Sequence, residues 1–141
     1  MPLKELGPDE VLTAPPDSTL EDVTEELESA GIGSMVITED DDPVGIITDR
    51  DIALEIHKHD DVGSVSVADV MTENPAVLRE DEDPIEISRA IKEHNVRRFP
   101  IVDDSGSLTG IVTLDDLVAT IGEQLENVAD TIAVQSPEYS P

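Results

Sequence analysis

The sequence predicts an α/β protein of the α+β type, in which two β-α-β-β-α repeats pack as a pseudo-two-fold module. Two stretches of the chain match at a nearly constant offset: residues 23–37 match 87–101, and "GIITDRD" (45–51) matches "GIVTLDD" (110–116). Each match combines apolar residues at helical spacing with two short apolar runs separated by a turn. A unit of about 50 residues buries little apolar surface alone, so we expect the repeats to share a core.

A short extended segment and a helix are predicted to open each repeat. The extended segments lie near residues 11–13 and 76–78, and the helices cover about 19–30 and 84–94. Apolar residues recur there at intervals of three and four, which is the helical period. These residues are Leu20, Val23, Leu27 and Ala30, then Ile87, Ala90 and Ile91. We expect a capping box in Ser18-Thr19-Leu20-Glu21, and a cap followed by a first-turn proline in Asp83-Pro84.

A hairpin and a second helix are predicted to close each repeat. The hairpins pair residues 34–38 with 44–48 and residues 99–102 with 108–113, and the closing helices cover about 50–58 and 114–125. The predicted boundaries of the larger units are 3–60 for the first repeat, 61–69 for a linker, 70–125 for the second repeat and 126–141 for a tail. The tail is expected to begin as a helix and to fray at "QSPEYSP".

The charge of the chain argues against several classes of partner. There are 34 acidic and 8 basic residues, and the net charge is −26. Without a basic surface, neither a nucleic acid nor an anionic membrane is an expected partner. The acidic runs are spread along the chain, for example at 39–42 and 80–83. This spread favours adaptation to molar salt, where the Debye length is about 3 Å; an ordinary acidic surface is the alternative.

Several features that the sequence lacks narrow the class of protein further. The chain contains no cysteine, which excludes disulfides and thiolate metal sites. No apolar run approaches the roughly 18–20 residues of a membrane span, and no signal peptide opens the sequence. A cytoplasmic protein is therefore expected. We find no nucleophile motif or P-loop, so we do not expect an enzyme.

The two matching seven-residue segments, "GIITDRD" (45–51) and "GIVTLDD" (110–116), are called the heptads below. Each places a threonine and an aspartate where a strand joins a helix. The pairs are Thr48 with Asp51 and Thr113 with Asp116, and their spacing is that of a capping box. Capping alone would explain both pairs. The same geometry also suits a ligand, because a carboxylate accepts hydrogen bonds from ribose hydroxyls and a helix N-terminus attracts phosphate. The residues themselves leave both interpretations open.

The repeats resemble a tandem pair of cystathionine-β-synthase (CBS) domains, also called a Bateman module. The resemblance rests on "DVMTENPAVL" (69–78), on "VRRFPIVD" (96–103) and on the two heptads, and it covers about residues 3–122. It implies a regulatory protein that binds an adenine nucleotide between the repeats and changes conformation. AMP is the first choice of ligand, followed by ADP, ATP and S-adenosylmethionine; no catalytic cofactor is expected. The regulated protein would be a separate, unknown partner.

The resemblance also implies roles for the heptad residues and for two short backbone segments. The aspartate of each heptad would hold ribose, and the threonine would contact ribose or phosphate. Thr48 and Asp51 would serve one site, and Thr113 and Asp116 the other. Looser matches suggest that the backbones of Thr13-Ala14 and Pro75-Ala76 line the adenine pockets.

Basic residues before the "PIVD" strand hold phosphates in several members of the family, and Arg97 and Arg98 occupy that place. Neighbours in an extended segment face opposite ways, and we favour Arg98 as the residue that faces the cleft. Ion pairs with nearby carboxylates are the alternative. The first repeat has Gly33 and Ser34 instead, so we expect unequal clefts. We also expect Asp116→Ala and Arg98→Ala to weaken binding in the second cleft.

Other interpretations are a Mg²⁺ or salt sensor that uses acidic turns such as Asp40-Asp41-Asp42, and an adaptor that acts only by dimerisation. His57 and His59 face different ways on a helix, so no zinc site is expected. An apolar stripe in the last helix is either core or a dimer face, and the resemblance implies a homodimer. The stripe consists of Leu117, Val118, Ile121 and Leu125.

Overall fold

Both predicted repeats are present in the structure, a computed structural model that describes residues 3–8, 10–136 and 138. The order β-α-β-β-α occurs twice, and the strands form two small mixed sheets. The predicted α+β class is therefore confirmed.

The first repeat builds a four-stranded sheet with strand order β1-β2-β3-β4. β1 runs parallel to β2, and the other neighbours are antiparallel. The last strand, β4, comes from the chain that follows the linker. The elements are β1 (Thr13–Ala14), α1 (Leu20–Ala30), β2 (Ser34–Glu39), β3 (Asp42–Thr48), α2 (Asp49–Ala53) and β4 (Thr72–Glu73).

The second repeat builds a three-stranded sheet with strand order β5-β6-β7. β5 is parallel to β6, and β6 is antiparallel to β7, as in the first repeat. Gly45 pairs with Ile37, and Gly110 pairs with Ile101, which places the two heptads at equivalent positions. The elements are β5 (Leu78–Arg79), α3 (Ile85–His94), β6 (Arg98–Val102), β7 (Leu108–Thr113) and α4 (Leu114–Gln135).

Two helices differ in length from their predictions. α2 has five residues and is followed by a 3₁₀ turn at Ile56–Lys58, whereas a helix to residue 58 was expected. Leu54 and Ile56 are exposed there, so little packing stabilises further helix, and packing supplies most helical stability in proteins. α4 continues to Gln135 instead of ending near residue 125. The tail thus begins as a helix; most of "QSPEYSP" lies outside the described residues.

The helix caps are shifted by one residue from their predicted places. The capping box of α1 joins Thr19 to Asp22, whose amide lies 3.2 Å from Thr19 Oγ1. The expected pair of Ser18 and Glu21 was wrong, because Leu20 is the first helical residue and must point into the core, where it is buried. At α3, Pro84 itself is the N-cap and no side chain caps the helix.

The buried residues form two clusters instead of one shared core. The first cluster includes Leu20, Met35 and Ile47, and the second cluster includes Phe99 and Ile101. Each cluster is completed by a residue from the segment that leads into the other repeat, which we call its lead-in segment. These residues are Leu3 in the second cluster and Val67 in the first.

Leu3 is fully buried among the residues of the second cluster, and its amide donates to Glu82 O at 3.2 Å. Val67, which the sequence analysis placed in a linker, is fully buried in the first cluster, and its amide donates to Ser18 O at 2.8 Å. The two repeats are therefore interlocked, which sets the clefts between them.

Among the helices of the described residues, none is long and apolar enough to cross a membrane.

Candidate functional site

The two Thr–Asp pairs cap the helices that follow them, with the same geometry in both repeats. The Asp51 amide donates to Thr48 Oγ1 at 3.1 Å, and the Thr48 amide donates to Asp51 Oδ2 at 2.9 Å. Thr113 and Asp116 repeat these distances. In each aspartate the second oxygen, Oδ1, receives no hydrogen bond from any described residue. Capping therefore accounts for one carboxylate oxygen and leaves the other accessible in a half-buried position.

The first pair lies in a cleft of about 630 Å³, which we call the first cleft. The first repeat contributes the β3–α2 junction, and the second repeat contributes the chain before β5 and before β6. The lining includes Ile46, Thr48, Arg50 and Asp51 on one side and Pro75, Ala76, His94, Val96, Arg97 and Arg98 on the other.

The second pair lies in a cleft of about 490 Å³, the second cleft. Here the second repeat contributes the β7–α4 junction, and the first repeat contributes the chain before β1 and the start of β2. The lining includes Thr113, Asp116, Ile111 and Arg98 on one side and Glu10, Val11, Leu12, Gly33 and Ser34 on the other. Both volumes lie within the range of about 300–1,000 Å³ typical of small-molecule sites.

The two arginines of the doublet differ in their contacts. Arg97 is 65 % exposed and its Nη2 lies 3.2 Å from Asp115 Oδ1, so the ion-pair interpretation holds for Arg97. Arg98, the first residue of β6, is half-buried and has neither an ion pair nor a side-chain hydrogen bond to any residue that the structure describes. Arg98 is therefore the arginine of the doublet whose guanidinium keeps its hydrogen-bond donors free between the repeats.

The sequence analysis favoured Arg98 as the residue that faces the cleft and expected it to act in the second cleft, whereas the structure places the doublet between the two clefts. Arg97 and Arg98 line the first cleft, and Arg98 also lines the second. The reason is the packing of the repeats: the start of β6 faces the β3–α2 junction of the other repeat. The expected inequality of the clefts remains, because Gly33 and Ser34 line the second cleft at the equivalent positions.

Thr13 and Ala14 lie outside the residues that line the clefts, whereas Pro75 and Ala76 line the first. Thr13 and Ala14 form β1 and pair with Val36 and Ile37. Val11 and Leu12 line the second cleft in their place. A signal for them exists in the sequence, since the offset of 64 found in the helices sets Val11 and Leu12 against Pro75 and Ala76.

A further cavity lies between the end of α2 and the linker, where Glu55 already pairs with Lys58 and His59. Glu55 is 3.5 Å from Lys58 Nζ and 3.2 Å from His59 Nε2. Within the described part of the chain, no group of three or more His, Asp or Glu side chains is placed to hold a metal ion. The clefts at the heptads are therefore the better candidates for a ligand site.

The sequence matches the CBS domain family twice, at residues 3–58 and 67–123. The chain belongs to the CBS domain family. It is 34 % identical over 132 residues to protein MK0525 of Methanopyrus kandleri, a match that covers 87 % of this chain and 67 % of that protein. It is also 34 % identical over 110 residues to inosine-5'-monophosphate dehydrogenase of Methanocaldococcus jannaschii. That match covers 77 % of this chain but only 21 % of the enzyme, and it lies in the enzyme's CBS region and not in its catalytic domain.

Solved CBS structures share the fold. The CBS domain pair of protein MJ0100, in complex with 5'-methylthioadenosine and S-adenosyl-L-methionine, superposes with a TM-score of 0.77 at 25 % identity and covers 88 % of this chain and 98 % of that one. The CBS domain protein PAE2072 from Pyrobaculum aerophilum, complexed with AMP, has a TM-score of 0.74 at 21 % identity, with 82 % and 89 % covered. The tandem CBS pair that the sequence predicted is thus confirmed.

Proposed function

We propose that this CBS pair is a regulatory module that binds an adenine nucleotide between its repeats and acts on a separate protein. The observation that carries the proposal is Arg98. It is a half-buried cation with no carboxylate partner among the described residues, in a chain with 34 acidic and 8 basic residues. Such a group has free donors for an anion, and arginine binds phosphate through two parallel hydrogen bonds.

The rest of each cleft suits the remainder of a nucleotide. The free Oδ1 of Asp51 or Asp116 would accept hydrogen bonds from ribose hydroxyls, since ionised acceptors form the stronger hydrogen bonds. Apolar groups on the facing repeat, such as Ala76 and Val96 in the first cleft, would contact the adenine. The adenosyl ligands of the MJ0100 pair support this assignment. AMP is our first choice, followed by ADP, ATP and S-adenosylmethionine.

The clefts would differ in the ligand they take. The first is lined by three arginines and by two aspartates, Asp49 and Asp51, whereas the second is lined by Arg98 and by two acidic residues, Glu10 and Asp116. We assign the phosphorylated nucleotide to the first cleft and a less charged adenosyl ligand to the second. A ligand that contacts both repeats would favour the arrangement it binds best, and this is how the module would signal.

Thermal unfolding in about 2 M KCl tests the function. The ligands are AMP, ADP, ATP, S-adenosylmethionine and Mg²⁺, each with the parent chain and with Asp51→Asn and Asp116→Asn. A ligand at 100 times its dissociation constant adds about 2.7 kcal/mol of stability, which raises the midpoint by several degrees. We expect such a rise with an adenine nucleotide and a smaller one in the variants. A rise with Mg²⁺ alone would favour the metal sensor, and no rise with any ligand would favour an adaptor.

A further inference from the structure

Arg98 lies between the two clefts and lines both of them, and no other described residue does so. It is the first residue of β6, the part of the second repeat that faces the β3–α2 junction, and this places it in the first cleft. Its partner across the β6–β7 ladder is Thr113, the capping residue of the second heptad. Side chains of paired residues lie on the same face of a sheet, so Arg98 lies beside the second cleft as well.

The length of the side chain explains why this position is shared. The equivalent residue of the first repeat is Ser34, which pairs with Thr48 in the same way. Ser34 lines the second cleft but not the first. Arginine carries its guanidinium on a long methylene stem, and this reach lets Arg98 contribute to both sites.

The charged groups of the second cleft make it depend on Arg98. Among the residues that the structure describes, the charged side chains that line this cleft are Glu10, Asp116 and Arg98. When the guanidinium is engaged elsewhere, the remaining two are carboxylates, which repel a phosphate. Within the described part of the chain, Arg98 is therefore the cation through which the second cleft would hold a phosphate.

The first cleft contains two further arginines, and they differ in their availability. Arg97 pairs with Asp115 at 3.2 Å. Arg50, by contrast, has neither an ion pair nor a side-chain hydrogen bond to any residue that the structure describes. Arg50 is therefore the alternative ligand for a phosphate in this cleft. If Arg50 alone held the phosphate, Arg98 would stay available to the second cleft.

Burial favours Arg98 over Arg50. Arg50 is exposed in the first turn of α2, whereas Arg98 is half-buried between the repeats. Exposed ion pairs are weak, and salt screens them more than partly buried ones. The sequence neighbours of Arg50, Asp49 and Asp51, line the same cleft, so a phosphate beside Arg50 would also be repelled by carboxylates. Arg98 is therefore the stronger phosphate ligand of the first cleft, and Arg50 supplements it.

We propose that the two clefts compete for the guanidinium of Arg98, an inference that rests on the nucleotide-binding function proposed above. One guanidinium cannot form its two parallel hydrogen bonds to phosphates in both clefts at once. A phosphate in the first cleft takes this group, and the second cleft then binds a second phosphorylated ligand more weakly. An uncharged adenosyl ligand does not need the guanidinium and binds without this effect. The coupling is reciprocal, as linkage requires.

Site-resolved titration of the full chain tests the competition, because unequal affinities alone do not distinguish coupled clefts from independent ones. In proton–nitrogen NMR spectra, the amide signal of Ala76 reports on the first cleft and that of Ser34 on the second. AMP is titrated against adenosine, which lacks the phosphate. Each is added to the parent chain and to Asp51→Asn, which weakens binding in the first cleft and keeps an oxygen for the helix cap.

We expect AMP to bind the second cleft of Asp51→Asn at least about tenfold more tightly than that of the parent, because the first cleft no longer engages Arg98. Adenosine should bind the second cleft equally in both chains. An AMP affinity of the second cleft that is the same in both chains would overturn the competition and leave the nucleotide-binding function intact. If neither ligand binds the parent, the competition and the function both fail.

Arginine variants distinguish Arg98 from Arg50. Arg98→Gln should weaken AMP binding in both clefts and leave adenosine binding unchanged, whereas Arg50→Gln should weaken AMP in the first cleft by a smaller factor. Arg89→Gln is the matched control, because Arg89 pairs with Glu86 on α3 outside the clefts. A larger loss of AMP from the first cleft in Arg50→Gln than in Arg98→Gln would assign that phosphate to Arg50 and overturn the competition. Equal losses of AMP and adenosine in Arg98→Gln would also overturn it, since they would show a general effect on the fold.

Discussion

At the scale of single residues, each heptad aspartate has two roles. One carboxylate oxygen caps a helix, and the other is proposed to bind the ligand. Oδ2 of Asp116 accepts from the Thr113 amide at 2.9 Å, and Oδ1 faces no described donor. The third capping box of the chain, Thr19 with Asp22, has the same pattern of bonds but lies outside both clefts. A comparison of these three capping boxes therefore distinguishes the capping role of the aspartate from its proposed role in ligand binding.

The corresponding prediction compares Asp116→Asn with Asp22→Asn. Both changes keep an oxygen that can accept the capping hydrogen bond, so each should cost less than the roughly 1 kcal/mol of a lost N-cap. Ligand binding should weaken only in Asp116→Asn, because only its carboxylate would face ribose. Denaturant unfolding measures the first effect, and titration with an adenosyl ligand measures the second. Equal affinities in the two variants would contradict a role for Asp116 beyond capping.

At the scale of elements, the segment before β1 connects the first residues to the second cleft. It packs so closely on β7 that a Cβ at Gly7 would overlap with Ile111 O. A Cβ at Gly110, by contrast, would lie 3.8 Å from its nearest neighbour, a methyl group of Ile101. The residues that follow Gly7 line the second cleft, so the docking of this segment bears on the site.

We expect Gly7→Ala to lower the free energy of unfolding by about 1–3 kcal/mol, as overpacking does, because the carbonyl it meets belongs to the backbone of a strand. Gly110→Ala should change stability much less. Chemical denaturation with urea, followed by circular dichroism, compares the two. If Gly7→Ala were as stable as Gly110→Ala, the close contact between the lead-in segment and β7 would not contribute to folding.

At the scale of the whole molecule, the dominant feature is the negative net charge. A net charge of −26 on 141 residues repels itself when the chain is compact. The ion pairs found among the described residues are mostly exposed, for example Arg97 with Asp115 and Lys4 with Glu80. Exposed pairs contribute about 0–1 kcal/mol each, which does little to offset the repulsion. We therefore propose that the chain is adapted to high salt.

The thermal midpoint should rise between about 0.1 M and 2 M KCl, since the Debye length falls from about 10 Å to below 3 Å. Sucrose, which carries no charge, is the control: it should raise the midpoint less than KCl at equal osmolarity. A midpoint that does not change with KCl would argue against salt adaptation.

Much of the fold is determined by the sequence alone because its signals are local. The periods of the apolar residues predict α1, α3 and the two hairpins, and the repeat predicts that they occur twice. The Thr–Asp spacing likewise predicts two caps, and both are present. These features depend on neighbours within a few residues, which a sequence pattern records directly.

Only the tertiary structure decided how the two halves meet. It placed Leu3 and Val67 in the core of the opposite half, and it placed Arg97 in the first cleft and Arg98 in both. It also separated Leu117, which packs against the second core cluster, from Val118, which is exposed. The physical reason is that these positions depend on contacts between segments far apart in the chain, such as Leu3 with Glu82 and Val67 with Ser18, and a period within one segment carries no information about its partner.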